Sequence, residues 1–281
     1  MSTLMVFAPF DLFGNGGAGA GAQQLADAMR EMLADNRQEK KPARARAYRG
    51  KIRLKEFTFE TLDHYQKWQR EARQTAKQAL TRKQFLFWIG GNHLSALPAL
   101  EELSSDSVIM QFDAHLDIFN LTDCTPHPSH GNFLLHAEKS LPPIIHVGNR
   151  DLFLPREHVR KHFRETIPAT AVANSFESVL LRLRNAVGRK RVWIDIDCDV
   201  LDAAFFPATG QPLPFGLTPQ QLLRCLDAVW SERVAGVSIS EFAPARDRDD
   251  QSLELLVWLM EYLLLKRYER GKSTRETEEE E

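Results

Sequence analysis

Two short segments put carboxylates at every second position: Asp113-Ala-His115-Leu-Asp117 and Asp195-Ile-Asp197-Cys-Asp199. Each follows an apolar run, 108–112 in the first case and 192–194 in the second, that reads as a buried strand. A spacing of two puts side chains on one side of an extended backbone, so two adjacent strand ends would aim an imidazole and several carboxylates at one point. Ionised carboxylates are tolerated in a protein interior only when paired or bound to metal. The pattern therefore predicts a cationic centre holding more than one ion. A calcium loop of the EF-hand type is excluded, because its glycine and terminal glutamate are not at the required offsets.

The elements that must position these residues alternate in type. Apolar runs at 4–8, 85–89, 108–112, 143–147, 191–195 and 236–240 predict six strands. Helical patterns lie between most of them: around Leu25, Ala28, Met29 and Leu33, then over 61–80, 96–103, 176–186, 218–229 and 252–268. Such alternation predicts a three-layer α/β/α fold with a mostly parallel central sheet. Nearly every strand ends in a polar cluster: His93 after Gly90-Gly91-Asn92, then Asp113, His115 and Asp117, then Asp151, Asp197 with Asp199, and Glu241. Open parallel sheets bind ligands at the carboxyl ends of their strands, so these residues point to one site. The glycine-rich stretch 14–21 reads as a backbone turn rather than a phosphate cradle, since no Gly-Lys-Ser/Thr follows it.

The chain has 281 residues, 43% of them hydrophobic and 26% charged, enough for one large buried core. No repeat or linker divides it, and we expect one domain over 1–270 followed by a disordered acidic tail, 271–281. A net charge of −2 gives no electrostatic reason for nucleic acid or a membrane as partner. The basic cluster from Arg44 to Lys55 reads as solvated surface. Cys124, Cys198 and Cys225 show no CxxC spacing and suggest a reducing compartment. With neither a signal-peptide pattern nor a run of about 20 apolar residues, the expected location is cytoplasmic.

On these residues the chain resembles the ureohydrolase family of arginases, agmatinases and formimidoylglutamases. Gly90-Gly-Asn-His93 looks like the family's GGDH, and Asp113-Ala-His-Leu-Asp117 matches its DAHxD. Asp197-Cys-Asp-Val-Leu-Asp202, then Pro207-Ala-Thr-Gly-Gln-Pro212, resembles DxDxxDP and PGTGTP, and Glu241-Phe-Ala-Pro244 matches ExxP. The resemblance implies an arginase-like fold and a binuclear centre of two Mn²⁺ ions, with Ni²⁺ among the alternatives. Its ligands would be His93, Asp113, His115, Asp117, Asp197 and Asp199. Carboxylate-rich donors with a few imidazoles suit Mn²⁺. Two ions about 3.5–4 Å apart lower the pKa of a shared water, and the hydroxide attacks the planar carbon of a guanidinium or amidine. By the same resemblance Asp199 passes the proton to the leaving nitrogen and Glu241 holds the cationic substrate. His130, in Ser129-His-Gly-Asn132, is then the proton shuttle. Cys198, pointing away from its neighbours on an extended strand, is assigned to the core.

The chain also departs from the family. Asn92 stands where the family has Asp, and Asp195 where it has a small polar residue, so Asp195 is expected to support the ligands or pair with a basic neighbour. Ala203 replaces a proline. Phe119 and Phe153 replace the Asn and Asp with which arginases recognise an α-amino acid, and Phe215 replaces a pocket glycine. Free arginine is therefore disfavoured against a decarboxylated guanidine. The expected activity is agmatinase-like hydrolysis of a linear C–N bond in a small cationic guanidino or amidino compound, releasing urea or a related product. Formimidoylglutamate hydrolysis and a non-catalytic or regulatory role stay open as alternatives. The resemblance also implies a homo-oligomer, a trimer or a hexamer.

Overall fold

Strand β1 (Thr3–Ala8) shows how the chain divides its apolar residues. Met5 and Phe7 pack into one core and Leu4, Val6 and Ala8 into another, because successive side chains of a strand face opposite ways. The computed structural model describes residues 2–59, 64–121 and 127–269; the tail 271–281 and Cys124 lie outside them. After β1 the chain forms helix α1 (Ala18–Gln38), β2 (Ile52–Glu56), α2 (Tyr65–Thr81), β3 (Phe85–Gly90), α3 (Leu97–Leu100) and β4 (Ser107–Phe112). It continues through β5 (Ile144–Val147), α4 (Arg156–His162), β6 (Glu165–Ile167), α5 (Ala169–Asn174) and α6 (Phe176–Val187). The last elements are β7 (Arg191–Asp197), α7 (Pro219–Val229), β8 (Val234–Ser240) and α8 (Gln251–Tyr268).

The eight strands form one parallel sheet in the order β2-β1-β3-β8-β7-β4-β5-β6. Helices α1, α5, α6, α7 and α8 cover one face, and α2 and α3 the other, which gives the expected three layers. Strands β3 and β4 are consecutive among the strands but stand apart, with β8 and β7 inserted between them. Their carboxyl ends therefore border a crevice where the progression of strands reverses, the usual place for a ligand site.

Two strands escape the sequence reading. In β2 only Ile52 is buried, and Arg53 and Lys55 blunt the open edge, so its apolar signal is faint. At the other edge β6 has three residues, too few for a pattern. The helix expected over 96–103 is reduced to α3, preceded by a 3-10 turn at His93–Ala96. Helix α2 starts at Tyr65, and 61–63 lie outside the described residues. The glycine-rich stretch is a turn only as far as Gly17; Gly19 and Gly21 belong to α1. A Cβ on Gly21 would collide with the carbonyl of Phe242, so this glycine lets the helix pack against the segment after β8. Among the described residues no helix is long and apolar enough to cross a membrane.

Candidate metal centre

The four central strands deliver the chemistry. His93 follows β3, Asp113 is the first residue past β4, Asp197 ends β7, and Glu241 follows β8. The period-two reading fails locally: β7 stops at Asp197, and Cys198–Val200 is a 3-10 turn. Asp199 therefore reaches the site from a turn, held by its own N–H donating to Asp197 Oδ1 at 2.9 Å. Cys198 is buried in the core as expected, although not on an extended strand. Asp117 and Glu241 have left-handed backbones, φ +51° and +69°, which few non-glycine residues adopt and which concentrate at functional sites.

The ligand candidates sort into two groups sharing one residue. His93, Asp113, Asp117 and Asp197 form the first; Asp113, His115 and Asp199 form the second. In the first, His93 Nδ1 lies 2.9 Å from Asp117 Oδ2 and 3.2 Å from both Asp113 Oδ2 and Asp197 Oδ2. In the second, His115 Nδ1 lies 2.8 Å from Asp199 Oδ2 and 3.9 Å from Asp113 Oδ1. Asp113 thus offers one oxygen to each group. His93 Nδ1 and Asp113 Oδ2 are buried without a hydrogen-bond partner, although oxygen-rich donors surround them. A divalent cation in each group would satisfy these atoms, and hard carboxylate oxygens with one imidazole per group suit such an ion.

The electrostatics point the same way. Burial and the charge of Asp113 push the Asp117 carboxyl up to about 7. Burial, Asp199 and Asp113 push Asp197 well above the ordinary range. Burial alone would lower both histidines, but Asp199 and its neighbours raise His115 to about 10, and Asp195, Asp113 and Asp117 raise His93 well above its usual value. The cluster holds protons that a cation must displace. Apparent metal affinity is therefore expected to rise from pH 6 to pH 8, roughly tenfold per pH unit for each proton released. Calorimetric Mn²⁺ titration at several pH values checks this, and a pH-independent affinity would contradict it.

Asp195 has a definite place in the structure. Its Oδ2 lies 2.9 Å from His93 Nε2 and accepts from Gln111 Nε2 at 3.3 Å, while Oδ1 accepts from the Ser238 hydroxyl. Ser238 in turn accepts from Trp193 Nε1 at 2.8 Å. The carboxylate thus takes the outer ring N–H of His93 and turns Nδ1 towards the other ligands, an arrangement that orients histidines at metal sites. Asn92 does something else. Its Nδ2 donates to the carbonyls of Leu12 and Gly14, both at 2.9 Å, and so ties the turn after β1 to the end of β3. A carboxylate at this position would face two acceptors. Asn92→Asp, which restores the family residue, is therefore expected to destabilise the protein by about 1–3 kcal/mol. Urea unfolding measures it, and equal midpoints would show that the tether contributes nothing.

Glu241 is buried and fully engaged: Oε1 accepts from the His93 backbone N–H at 2.8 Å and Oε2 from Asn15 Nδ2 at 2.7 Å. Burial and the charge of Asp199 push it up to about 8, so a cationic partner would restore its charged form. His130 Nδ1 lies 3.7 Å from Glu241 Oε1, and burial with the charge of His115 pushes its imidazole down to about 4. His127 is exposed and His136 is half-buried. Asp202 accepts from the N–H groups of Ala204 and Gly216 and shapes the following loop. Asp151 accepts from the Phe153 N–H at 2.8 Å in the same manner. Phe119 and Phe153 lie 6.4 Å apart between ring centroids, with Phe153 63% exposed. Phe215 is 81% exposed on a left-handed backbone, φ +63°.

Two residues that the sequence did not single out complete the site. Asn15 bridges Glu241 and His130. Arg150 donates to the carbonyls of Gly148, Asp199, Val200 and Leu213, at 2.7 to 3.2 Å, bracing the Asp199 turn against the loop that carries Phe215. Arg150 is next to Asp151 in a strand-end cluster, and that proximity was the only available signal.

A family model described as the arginase family matches residues 2–266. An agmatinase of Photorhabdus laumondii is 29% identical over 186 residues, 62% of this chain and 57% of that protein. The chain thus spans little more than half the length of the curated relatives it matches. A structure titled as a hypothetical agmatinase from Burkholderia thailandensis superposes with a TM-score of 0.78 at 20% identity, covering 95% of this chain and 86% of the other. An arginase from Bacillus subtilis superposes with a TM-score of 0.75 at 16% identity, covering 97% of this chain and 100% of the other. At these identities the two structures show the fold.

Proposed function

Because the chain belongs to the arginase family, we propose that it is a metal-dependent hydrolase of small guanidino compounds, with a binuclear Mn²⁺ centre. The observation that carries this reading is the pair of ligand groups joined through the two oxygens of Asp113. When bound, two divalent cations supply the nucleophile by lowering the pKa of water towards neutrality.

The chain's own residues do the rest. A guanidinium is planar and cationic, and Glu241 presents a buried carboxylate to its N–H groups in a charge-assisted pair. The two donors on Glu241, His93 N–H and Asn15 Nδ2, fix its orientation before substrate arrives. Asp199 stands at the second ligand group, with Oδ1 held by the Ala114 N–H at 3.1 Å. It takes the proton of the attacking hydroxide and passes it to the leaving nitrogen, which cannot depart as an anion at neutral pH, while the proton given up when water ionises goes to solvent. Phe119 and Phe153 replace polar groups that would recognise an α-amino acid. This favours a decarboxylated guanidine such as agmatine, in keeping with the agmatinases among the relatives.

The test is reconstitution with Mn²⁺, Ni²⁺ or Zn²⁺, metal analysis, and a product assay over agmatine, 4-guanidinobutyrate, arginine and N-formimidoylglutamate. We expect two metal ions per chain and urea from agmatine. A protein that binds no metal or turns over none of these compounds ends the hydrolase reading. Turnover of arginine as good as that of agmatine ends the argument from Phe119 and Phe153.

A further inference from the structure

We propose that a cavity behind the metal centre is a second binding site, for a small zwitterion of the aliphatic amino-acid class. The inference does not depend on the hydrolase reading. The cavity measures about 530 Å³ and lies between helix α4 and the segment that follows β5. Small-molecule sites usually measure about 300–1,000 Å³. Two short stretches separate it from the metal centre. In 149–151, Arg150 donates to the carbonyls of Asp199 and Val200, while its neighbours Asn149 and Asp151 line the cavity. In 115–117, His115 and Asp117 belong to the ligand groups and Leu116 lines the cavity. Neighbouring side chains thus face different spaces across one shared wall.

The polar groups of this cavity lack partners. Asn149 Oδ1 and Asp151 Oδ2 are buried and accept no hydrogen bond, although the other Asp151 oxygen is held by the Phe153 N–H. Arg156 and Arg160 stand one turn apart on α4 and line the same cavity. Both are exposed, and neither pairs with a carboxylate among the described residues. A buried acceptor without a donor costs free energy, and opposite charges that share a cavity without meeting leave an attraction unused. One occupant carrying both charges satisfies all four groups. Its ammonium donates to Asn149 Oδ1 and Asp151 Oδ2, and its carboxylate accepts from the two guanidiniums. A simple anion would lie against the Asp151 carboxylate, and a simple amine would leave both arginines unpaired. Leu116, Val159 and Pro168 also line the cavity, which suits an aliphatic body.

Calorimetric titration of the full chain with 6-aminohexanoate, L-leucine, butylamine and butyrate, on Mn²⁺-treated and on metal-free protein, tests the proposal. We expect a dissociation constant below about 1 mM for at least one of the two zwitterions, with or without metal. The amine and the carboxylate alone should each bind about tenfold more weakly or worse, since each forgoes one charge-assisted pair. The two zwitterions separate an ω-amino acid from an α-amino acid. Arg156→Ala combined with Arg160→Ala, both on exposed helix positions that do not threaten folding, should weaken the better zwitterion about tenfold or more and leave butylamine unchanged. Asn149→Leu should weaken both the zwitterion and butylamine. Four results overturn the proposal. The first is no heat from either zwitterion at about 10 mM. The second is butyrate binding as tightly as the zwitterions, and the third is binding seen only with metal, which would place the ligand on the ions. The fourth is unchanged affinity in the double arginine variant.

Discussion

Asp113→Asn is expected to lose the proposed hydrolysis by about 10³-fold or more, since the proposed centre would bring the pKa of water from 15.7 to about 7. The same variant should make the stability of the metal-free protein fall less steeply with pH. Both effects come from one position. Asp113 is the residue common to the two ligand groups, with Oδ2 towards His93 and Oδ1 towards His115, so an amide there weakens both groups at once. It is also a cause of the raised proton affinity of Asp117 and of Asp197. A carboxyl raised from 3.8 to about 7 keeps its proton in the folded state after the unfolded state has released it. Stability then falls as pH rises through that window. Asp113 also raises His93 and His115, so removing its charge lowers all four folded-state proton affinities and lessens the fall, and the variant should gain on the wild type between pH 5 and pH 8. Urea unfolding of metal-free protein at pH 5 and pH 8 measures this. Added Mn²⁺ should stabilise the wild type strongly and the variant weakly, because a ligand stabilises only the state that binds it. Turnover by Asp113→Asn within tenfold of wild type would sink the two-cation reading.

The clustering of the candidate ligands was legible because its evidence is local. Carboxylates at short spacing after apolar runs are visible within a dozen residues, and strand-helix alternation places those runs in a parallel sheet. The supporting contacts were illegible for the opposite reason. Asn15 and Glu241 are 226 residues apart, and His93 and Asp195 are 102 apart. Their meeting depends on β8 and β7 inserting between β3 and β4, which no local pattern announces. Asp199 joins the cluster as the spacing of two suggests, but by a different backbone, since β7 ends at Asp197 and a turn does the rest. Edge strands β2 and β6 were missed because strand signals rest on burial, and the edges of this sheet bury little. In the sequence Asn92 reads only as an amide where the family has Asp; in the fold that amide holds the turn that carries Asn15.

Asp195→Ser, which brings back the family's small polar residue, is expected to weaken Mn²⁺ binding by about 10- to 100-fold, the usual cost of losing a partner that orients a metal ligand. The carboxylate does two things to His93. It accepts the Nε2 proton at 2.9 Å, which leaves the Nδ1 lone pair facing Asp113, Asp117 and Asp197, and its charge makes that lone pair a stronger donor. A serine hydroxyl is too short to reach the ring and leaves Nε2 without an acceptor in a dry core, while Gln111 and Ser238 lose theirs. Asp195→Asn separates the two effects: its amide oxygen can still accept from His93, but the charge is gone. Affinities in the order wild type, Asp195→Asn, Asp195→Ser would show that orientation and charge both count, and calorimetry reads them without any turnover assay. If both variants bind Mn²⁺ as tightly as wild type, the buried carboxylate is structural only. The ordering also bears on why this chain carries Asp195 at all. An amide replaces the family carboxylate at position 92, where it holds the carbonyls of Leu12 and Gly14, and a carboxylate replaces the small residue at position 195, where it holds His93.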